Sequence, residues 1–167
     1  MRRSIEEYDF QKGEILLFDK QLDWTSFDLV RKLRNFLCRK TEIKKLKVGH
    51  AGTLDPKATG LMIVCTGKET RNIDLIQAKE KEYIATIKLG ATTPSYDLET
   101  EENQTFPTDH ITPGFLREAL DKFMGETDQI PPLFSAVKID GKRAYEHARK
   151  GSDIVLQPKK ITISELE

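Results

Sequence analysis

The sequence is poor in cysteine, in aromatic residues and in net charge, and it has no long hydrophobic run. Among 167 residues only Cys38 and Cys65 occur. They are too few and too far apart for a disulfide scaffold, and they lack the C-x-x-C spacing of a zinc site, a usage that suits a reducing compartment. No apolar stretch approaches the roughly 18 residues of a membrane helix. The charged start Met1-Arg2-Arg3-Ser4-Ile5-Glu6-Glu7 has no apolar signal core, so neither a membrane nor an export route is expected and the reading is cytoplasmic. His50, His110 and His147 show no metal-ligand spacing. G-x-S-x-G and the dinucleotide fingerprint are missing. Thr66-Gly67-Lys68-Glu69 fails as a phosphate loop, because Glu69 stands where Ser or Thr is needed and Met62 where the first glycine belongs. Asn103-Gln104-Thr105 matches the glycosylation pattern only by chance in a chain with no export signal.

What is present is a domain-sized chain, long enough to bury roughly 70% of its unfolded surface without staples, and a segregated charge. The 27 Lys+Arg balance 27 Asp+Glu overall. Residues 31–47 nevertheless carry eight basic side chains (Arg31, Lys32, Arg34, Arg39, Lys40, Lys44, Lys45, Lys47) against Glu42 alone. Between Lys88 and Arg117 there is no basic residue, while Asp97, Glu99, Glu101, Glu102 and Asp109 accumulate. A second basic group follows at Lys138, Lys142, Arg143, Arg149 and Lys150. Such a field draws a polyanion to one face and repels it from another; a solvated lysine-rich loop is the bland alternative.

Ile15-Leu16-Leu17-Phe18, bounded by charges, predicts a buried strand. Ser26 is the expected helix cap, and Val30, Leu33 and Leu37 at helical spacing predict about three helical turns with a basic outer face. Residues 39–47 read as an exposed basic loop. Leu61-Met62-Ile63-Val64-Cys65 predicts a second buried strand, and residues 68–76 a short helix. Residues 82–89 alternate, with Tyr83, Ala85, Ile87 and Leu89 on one face, and predict a strand. Residues 92–110 read as a long acidic surface loop. Thr112-Pro113 caps a helix with the apolar stripe Phe115, Leu116, Ala119, Leu120 and Phe123, stopped at Gly125. A strand at 135–139 closed by Asp140-Gly141, a helix at 144–150 and a strand opening at Ile161-Thr162-Ile163 complete the pattern. Interleaved elements with hairpin signals predict an α+β fold with a mixed, largely antiparallel sheet flanked by helices. Residues 1–12 form an N-terminal extension and 13–167 the folded portion.

The segment 48–60, with three glycines and Pro56, cannot be a regular helix or a central strand. Two apolar segments bracket it, and Pro56 biases Asp55 to an extended backbone. Asp55 is thus either a displayed reactive carboxylate or the anchor of an Asx turn, and His50 on the same loop has the same two readings.

Gly49-His50-Ala51-Gly52-Thr53-Leu54-Asp55-Pro56-Lys57-Ala58-Thr59-Gly60 resembles the signature loop G-H-x-G-x-L-D-P-x-A-x-G of the tRNA pseudouridine synthase B family at every fixed position. Pro131-Pro132-Leu133-Phe134-Ser135-Ala136-Val137-Lys138, then Gly141, Tyr145, Ala148-Arg149 and Gly151, resembles a second family stretch. The opening that ends Phe18-Asp19-Lys20 and the run Lys81-Glu82-Tyr83 agree as well, so the likeness extends over residues 13–167. The resemblance implies a pseudouridine synthase-like fold and isomerisation of the T-loop uridine of tRNA, with no cofactor or metal and no protein partner. It implies Asp55 as catalytic carboxylate, Tyr83 as the platform for a flipped base, His50 as a contact to displaced nucleotides, and Lys20 and Lys138 as substrate-binding lysines. Arg31, Lys32, Arg34, Lys44, Lys45 and Lys47 are expected to meet the RNA backbone.

Three departures from the family pattern qualify this expectation. Phe134 stands where tyrosine is usual, and Thr93-Pro94-Ser95-Tyr96-Asp97 replaces a T-D-T-x-D run. Residues 13–167 are expected to be the N-terminal part of the family's catalytic domain, with the arginine strand that follows in the family and its C-terminal RNA-binding domain absent. The rival expectations are a non-catalytic RNA-binding protein or inactive fragment that keeps the fold, and a carboxylate glycosidase. The glycosidase would need a second carboxylate, and the signature loop holds only one.

Overall fold

A three-stranded antiparallel sheet organises the first part of the chain, in a computed structural model that describes residues 4–131, 138–139, 142–143 and 156–167. Strands β1 (Ile15–Lys20) and β2 (Val48–His50) flank the central β3 (Gly60–Thr66). The register sets Ile15 opposite Cys65, Lys20 opposite Gly60, and His50 opposite Val64. β3 is central because it is the most apolar of the three, and Met62, Val64 and Cys65 are buried. β1 is only half-buried: period-2 alternation turns Leu16, Phe18 and Lys20 inward and leaves Ile15 and Leu17 exposed. The glycine-rich segment supplies an edge strand, β2, as its composition allows.

Helix α1 (Ser26–Thr41) is longer than its three expected turns and takes in residues 39–41 of the expected basic loop. The cap is Thr25 and not Ser26. The Thr25 hydroxyl accepts from the Asp28 N–H at 3.0 Å, and the Asp28 carboxylate accepts in return from the Thr25 N–H at 3.2 Å, a reciprocal capping box. Glu42 ends the helix in the left-handed conformation. Val30 and Leu37 are buried on the inner face, and Leu37 joins Phe10 and Leu46 in a small core against which Ile5, Tyr8, Leu33 and Val48 pack. Part of the segment before residue 13, expected as an extension, is thus core material. Gly67–Asn72 forms a 3-10 turn that leads into α2 (Ile73–Gln77), where one helix of residues 68–76 is expected.

The chain divides into two units, residues 1–85 and 86–167. In the second, β4 (Ala91–Thr92) pairs with β5 (Gln104–Thr105), so the acidic segment is a small hairpin. Helix α3 (Pro113–Asp121) begins as expected, with the Thr112 hydroxyl accepting from the Phe115 N–H at 3.2 Å. It stops before Phe123, and its stripe is not buried among the described residues. β6 (Gly125–Gln129) pairs antiparallel with β9 (Lys159–Ile163), so the strand expected to open at Ile161-Thr162-Ile163 is formed. β7 (Lys138–Ile139) pairs antiparallel with β8 (Lys142–Arg143); the expected turn at Asp140-Gly141 and the start of the strand expected at 135–139 lie outside the described residues. The helix expected at 144–150 lies outside the described residues.

The strand expected at 82–89 is not formed. Among the described residues, 81–88 have no ladder partner, and Tyr83, Ile84 and Ile87 are exposed. Alternation marks a chain suited to a half-buried face, but a strand also needs a neighbour to take up its hydrogen bonds. The described residues thus form helices and small antiparallel sheets, a mixed α+β architecture. Among them no helix is long and apolar enough to cross a membrane.

Candidate active site

The loop between β2 and β3 is held at both ends by the sheet and in the middle by the β1–α1 connection. The Ala51 N–H donates to the Ile63 carbonyl at 2.8 Å, which carries the edge pairing one step past His50. Gly52 (φ +120°) and Gly60 (φ +123°) occupy backbone conformations that side-chain-bearing residues avoid, and they turn the chain away from the sheet and back. Between them, the Ser26 hydroxyl donates to the Leu54 carbonyl at 3.0 Å and accepts from the Leu54 N–H at 2.9 Å. The Pro56 carbonyl accepts from the Asp23 N–H at 2.8 Å. A further bond from the Ala58 N–H to the Asp55 carbonyl, 3.0 Å, closes a turn over Pro56 and Lys57.

Asp55 sits between these clamps with an exposed side chain. Its carboxylate makes no hydrogen bond or ion pair to any described residue, so the Asx-turn reading is not realised there. The nearby charge is Lys20. This side chain is almost wholly buried, at 1% exposure, and its ammonium donates to the main-chain carbonyls of Trp24 (2.7 Å), Gln21 (3.0 Å) and Pro56 (3.5 Å). Burial lowers the Lys20 pKa, and the negative charges of Asp23 and Asp55 pull it partly back. Lys57 pairs with Asp23 at 2.7 Å on the surface.

His50 lies at the end of β2, half-buried, with Nδ1 2.5 Å from the Gly52 carbonyl. A carbonyl only accepts, so Nδ1 carries the proton and Nε2 is the nitrogen left for other partners. Tyr83 stands apart on the unpaired segment, 69% exposed, with no hydrogen bond or ring contact among the described residues. For Lys138 the backbone position in β7 is described and its side chain lies outside the described residues.

The basic residues divide into two places. On α1, Arg31 pairs with Asp28 at 3.0 Å, and the Lys32 ammonium lies 4.6 Å from the centre of the Trp24 ring, both beside the start of the helix. Arg34 lies farther along the same helix. Lys44, Lys45 and Lys47 are at the other end of the sheet. There Lys45 and Lys47 line a shallow hollow with Gln11, Lys68, Thr70 and Arg71. None of those four cations forms an ion pair among the described residues. Glu69, the nearest acid in sequence, instead accepts from the Asn72 amide at 2.8 Å. Lys68 and Arg71 escape a sequence reading because only the register of β2 on β3, Val48 opposite Thr66, brings them to Lys47. β3 spans seven residues, so about 20 Å separates this hollow from the Asp55 end.

Among the described residues no group of three or more His, Cys, Asp and Glu is arranged to hold a metal ion. The chemistry on offer is an exposed carboxylate on a clamped loop, a histidine of fixed tautomer on the same loop, and unneutralised cations at a distance.

Residues 39–167 match the family model described as TruB family pseudouridylate synthase (N terminal domain). The chain is 59% identical over 159 residues to the tRNA pseudouridine synthase B of Phocaeicola vulgatus, covering 95% of this chain and 68% of that protein. It is 60% identical over 159 residues to the protein of the same name from Parabacteroides distasonis, with the same coverage. To that of Flavobacterium johnsoniae it is 54% identical over 160 residues, covering 95% and 70%.

Proposed function

The chain belongs to the TruB family of pseudouridylate synthases, and from that premise we propose that it isomerises the T-loop uridine of tRNA to pseudouridine with Asp55 as the catalytic carboxylate. In this reaction the bond from N1 of uracil to C1′ of the ribose breaks, the base turns, and C5 bonds to C1′. The C5 proton leaves to water and N1 takes one up, so product and substrate are isomers. An ionised carboxylate serves by attacking C1′ or by removing a sugar proton, and either role requires a side chain free to reach the ribose. The observation that carries the reading is the exposed Asp55 carboxylate, without a partner among the described residues and fixed on both sides by main-chain bonds.

His50 fits a contact to nucleotides displaced around the loop, through Nε2. Tyr83 fits a platform for the flipped base, a stacking contact of roughly 1–3 kcal/mol, once its segment is brought to the loop. Lys20 is better suited to support than to contact: its ammonium is taken up chiefly by the Trp24 and Gln21 carbonyls and hidden from solvent, so it holds the β1–α1 turn from below. Arg31, Lys32, Arg34, Lys44, Lys45 and Lys47, with Lys68 and Arg71, supply the positive field that attracts the RNA backbone. The family resemblance suggests action on tRNA through its T-arm without a cofactor and implies no protein partner, and the cysteine usage suits a reducing, cytoplasmic compartment.

The test is release of tritium from C5-labelled uridine in a T-arm transcript, which reports the proton lost at C5. Release that is stoichiometric with uridine consumed supports the reading. RNA binding without release in the full-length protein would favour an RNA-binding role for the fold.

A further inference from the structure

Ser26 opens α1, yet its side chain does nothing for that helix, since Thr25 supplies the cap. The hydroxyl is instead buried, at 3% exposure, and engages one residue 28 positions away: it donates to the Leu54 carbonyl and accepts from the Leu54 N–H. A paired exchange of this kind is what a neighbouring strand gives to a hydrogen-bonded residue in an antiparallel ladder. Here a side chain gives it to a loop that has no strand beside it.

Leu54 immediately precedes Asp55. On the other side, the Pro56 carbonyl is tied to the Asp23 N–H, three residues before Ser26. The main chain before and after Asp55 is therefore fastened to one short stretch, while the carboxylate has no hydrogen bond of its own among the described residues. A side chain without its own anchor takes its position from its backbone. Loss of the Leu54 bonds would free the peptide that carries Asp55, and leave the Asp23 bond as a single pivot.

We propose that Ser26 is a positioning residue for the Asp55 carboxylate, setting its place against the ribose by holding the Leu54 peptide through both of its polar groups. The inference rests on the reading of Asp55 as the catalytic carboxylate. A displacement of about 1 Å in a reacting group lowers rates on the order of 100-fold. RNA affinity, which comes from charges elsewhere, is not affected by it.

The experiment compares the full-length protein with Ser26→Ala, Ser26→Thr and Asp55→Asn, by tritium release from a T-arm RNA hairpin carrying 5-tritiated uridine. Rates are normalised to folded protein by far-UV circular dichroism. Ser26→Ala is expected to lower kcat about 10- to 100-fold with KM within about twofold, as misplacement of a reacting group requires. Ser26→Thr, which keeps the hydroxyl, is expected to recover kcat to within about fivefold of the parent, since it restores that placement. If the alanine variant does not fold, Ser26→Cys takes its place, since a thiol keeps the volume and weakens both bonds. A kcat for Ser26→Ala within about threefold of the parent, a change in KM alone, or equal losses for alanine and threonine would each overturn the proposal. Turnover retained by Asp55→Asn would instead remove the reading on which it rests.

Discussion

Replacing Lys20 with methionine keeps most of the side-chain volume and removes one buried positive charge with its three donors. The lost bonds run to Trp24 at 2.7 Å, Gln21 at 3.0 Å and Pro56 at 3.5 Å. The third is too long to count for much. Each of the first two, with a charged donor, is worth about 1.5–3 kcal/mol, and leaving an acceptor without its partner adds to the loss. Against this stands the relief of no longer burying an ammonium, which is a cost of several kcal/mol for an isolated ion. The negative charges of Asp23 and Asp55 already offset part of that cost. Gln21 and Leu22 are exposed, so water replaces the donor at Gln21 and the uncompensated loss centres on the Trp24 carbonyl.

The balance is a destabilisation of about 2 kcal/mol, a large share of the roughly 5–15 kcal/mol that holds a domain folded. The protein contains a single tryptophan, and it is the residue whose carbonyl Lys20 holds. Its emission during urea unfolding therefore reports the affected turn directly. A lowered midpoint at an unchanged slope is expected. A midpoint equal to or above that of the parent would refute the reasoning and mean that desolvation of the ammonium outweighs the bonds it makes.

Burial of the charged form also gives Lys20 a pH signature. Its folded pKa lies below the ordinary lysine value, so in the window between the two the unfolded chain binds more protons. The parent should gain stability relative to Lys20→Met as pH rises through that alkaline window, and a flat difference in urea midpoints would contradict the burial. Asp55→Asn is expected to reduce tritium release at least about 1,000-fold while leaving RNA affinity within about threefold, because an amide neither attacks nor takes a proton; release within about tenfold of the parent would remove the assignment. Charge reversal of Lys44, Lys45 and Lys47 together should flatten the slope of log affinity against log salt by about 2–3, at roughly 0.7–0.9 per phosphate contact, and an unchanged slope would show that this end of the sheet faces away from RNA. Gly67→Ala should destabilise by more than about 2 kcal/mol, since at φ +52° its Cβ would lie 2.3 Å from the Gln11 carbonyl oxygen and 2.5 Å from that of Phe10; a thermal midpoint unchanged from the parent would contradict this.

The elements that a sequence reading finds are those whose information is local. β1 and β3 show as apolar runs between charges, α1 as helical spacing behind a cap, and α3 as Thr112-Pro113 before an apolar stripe. The cap of α1 is misplaced by one residue because Thr25 and Ser26 are both good capping residues. Thr25 has Asp28 three positions on to complete the box, and that frees Ser26 for a partner 28 residues away. Residues 82–89 carry a strand pattern, but pairing is not a local property and no described strand joins them. Phe10 reads as part of an extension, since nothing nearby announces that it packs with Leu37 and Leu46.

The same division runs through the candidate site. The loop is legible because glycines and a proline fix its shape locally, and its residue types suit the chemistry proposed. What holds the loop is not legible. Ser26 is hidden behind a capping role, Lys20 behind its charge, and the Asp23 N–H is main chain, which no residue type encodes. A lysine on a strand that ends near a reactive loop reads as a ligand for RNA, because lysines are almost never fully buried. The period of β1 adds what charge alone does not say: with Leu16 and Phe18 inward, Lys20 is inward too, at the point where β1 meets Gly60. Its stem extends the apolar row and its ammonium meets carbonyls that the turn leaves open. The parity of the strand is enough to dictate that orientation. The main chain on either side of Asp55 is thus fastened to residues 23 and 26 of one connection, which Lys20 braces through Gln21 and Trp24, while one of the two cationic groups lies about 20 Å away, at the far end of the seven-residue strand β3.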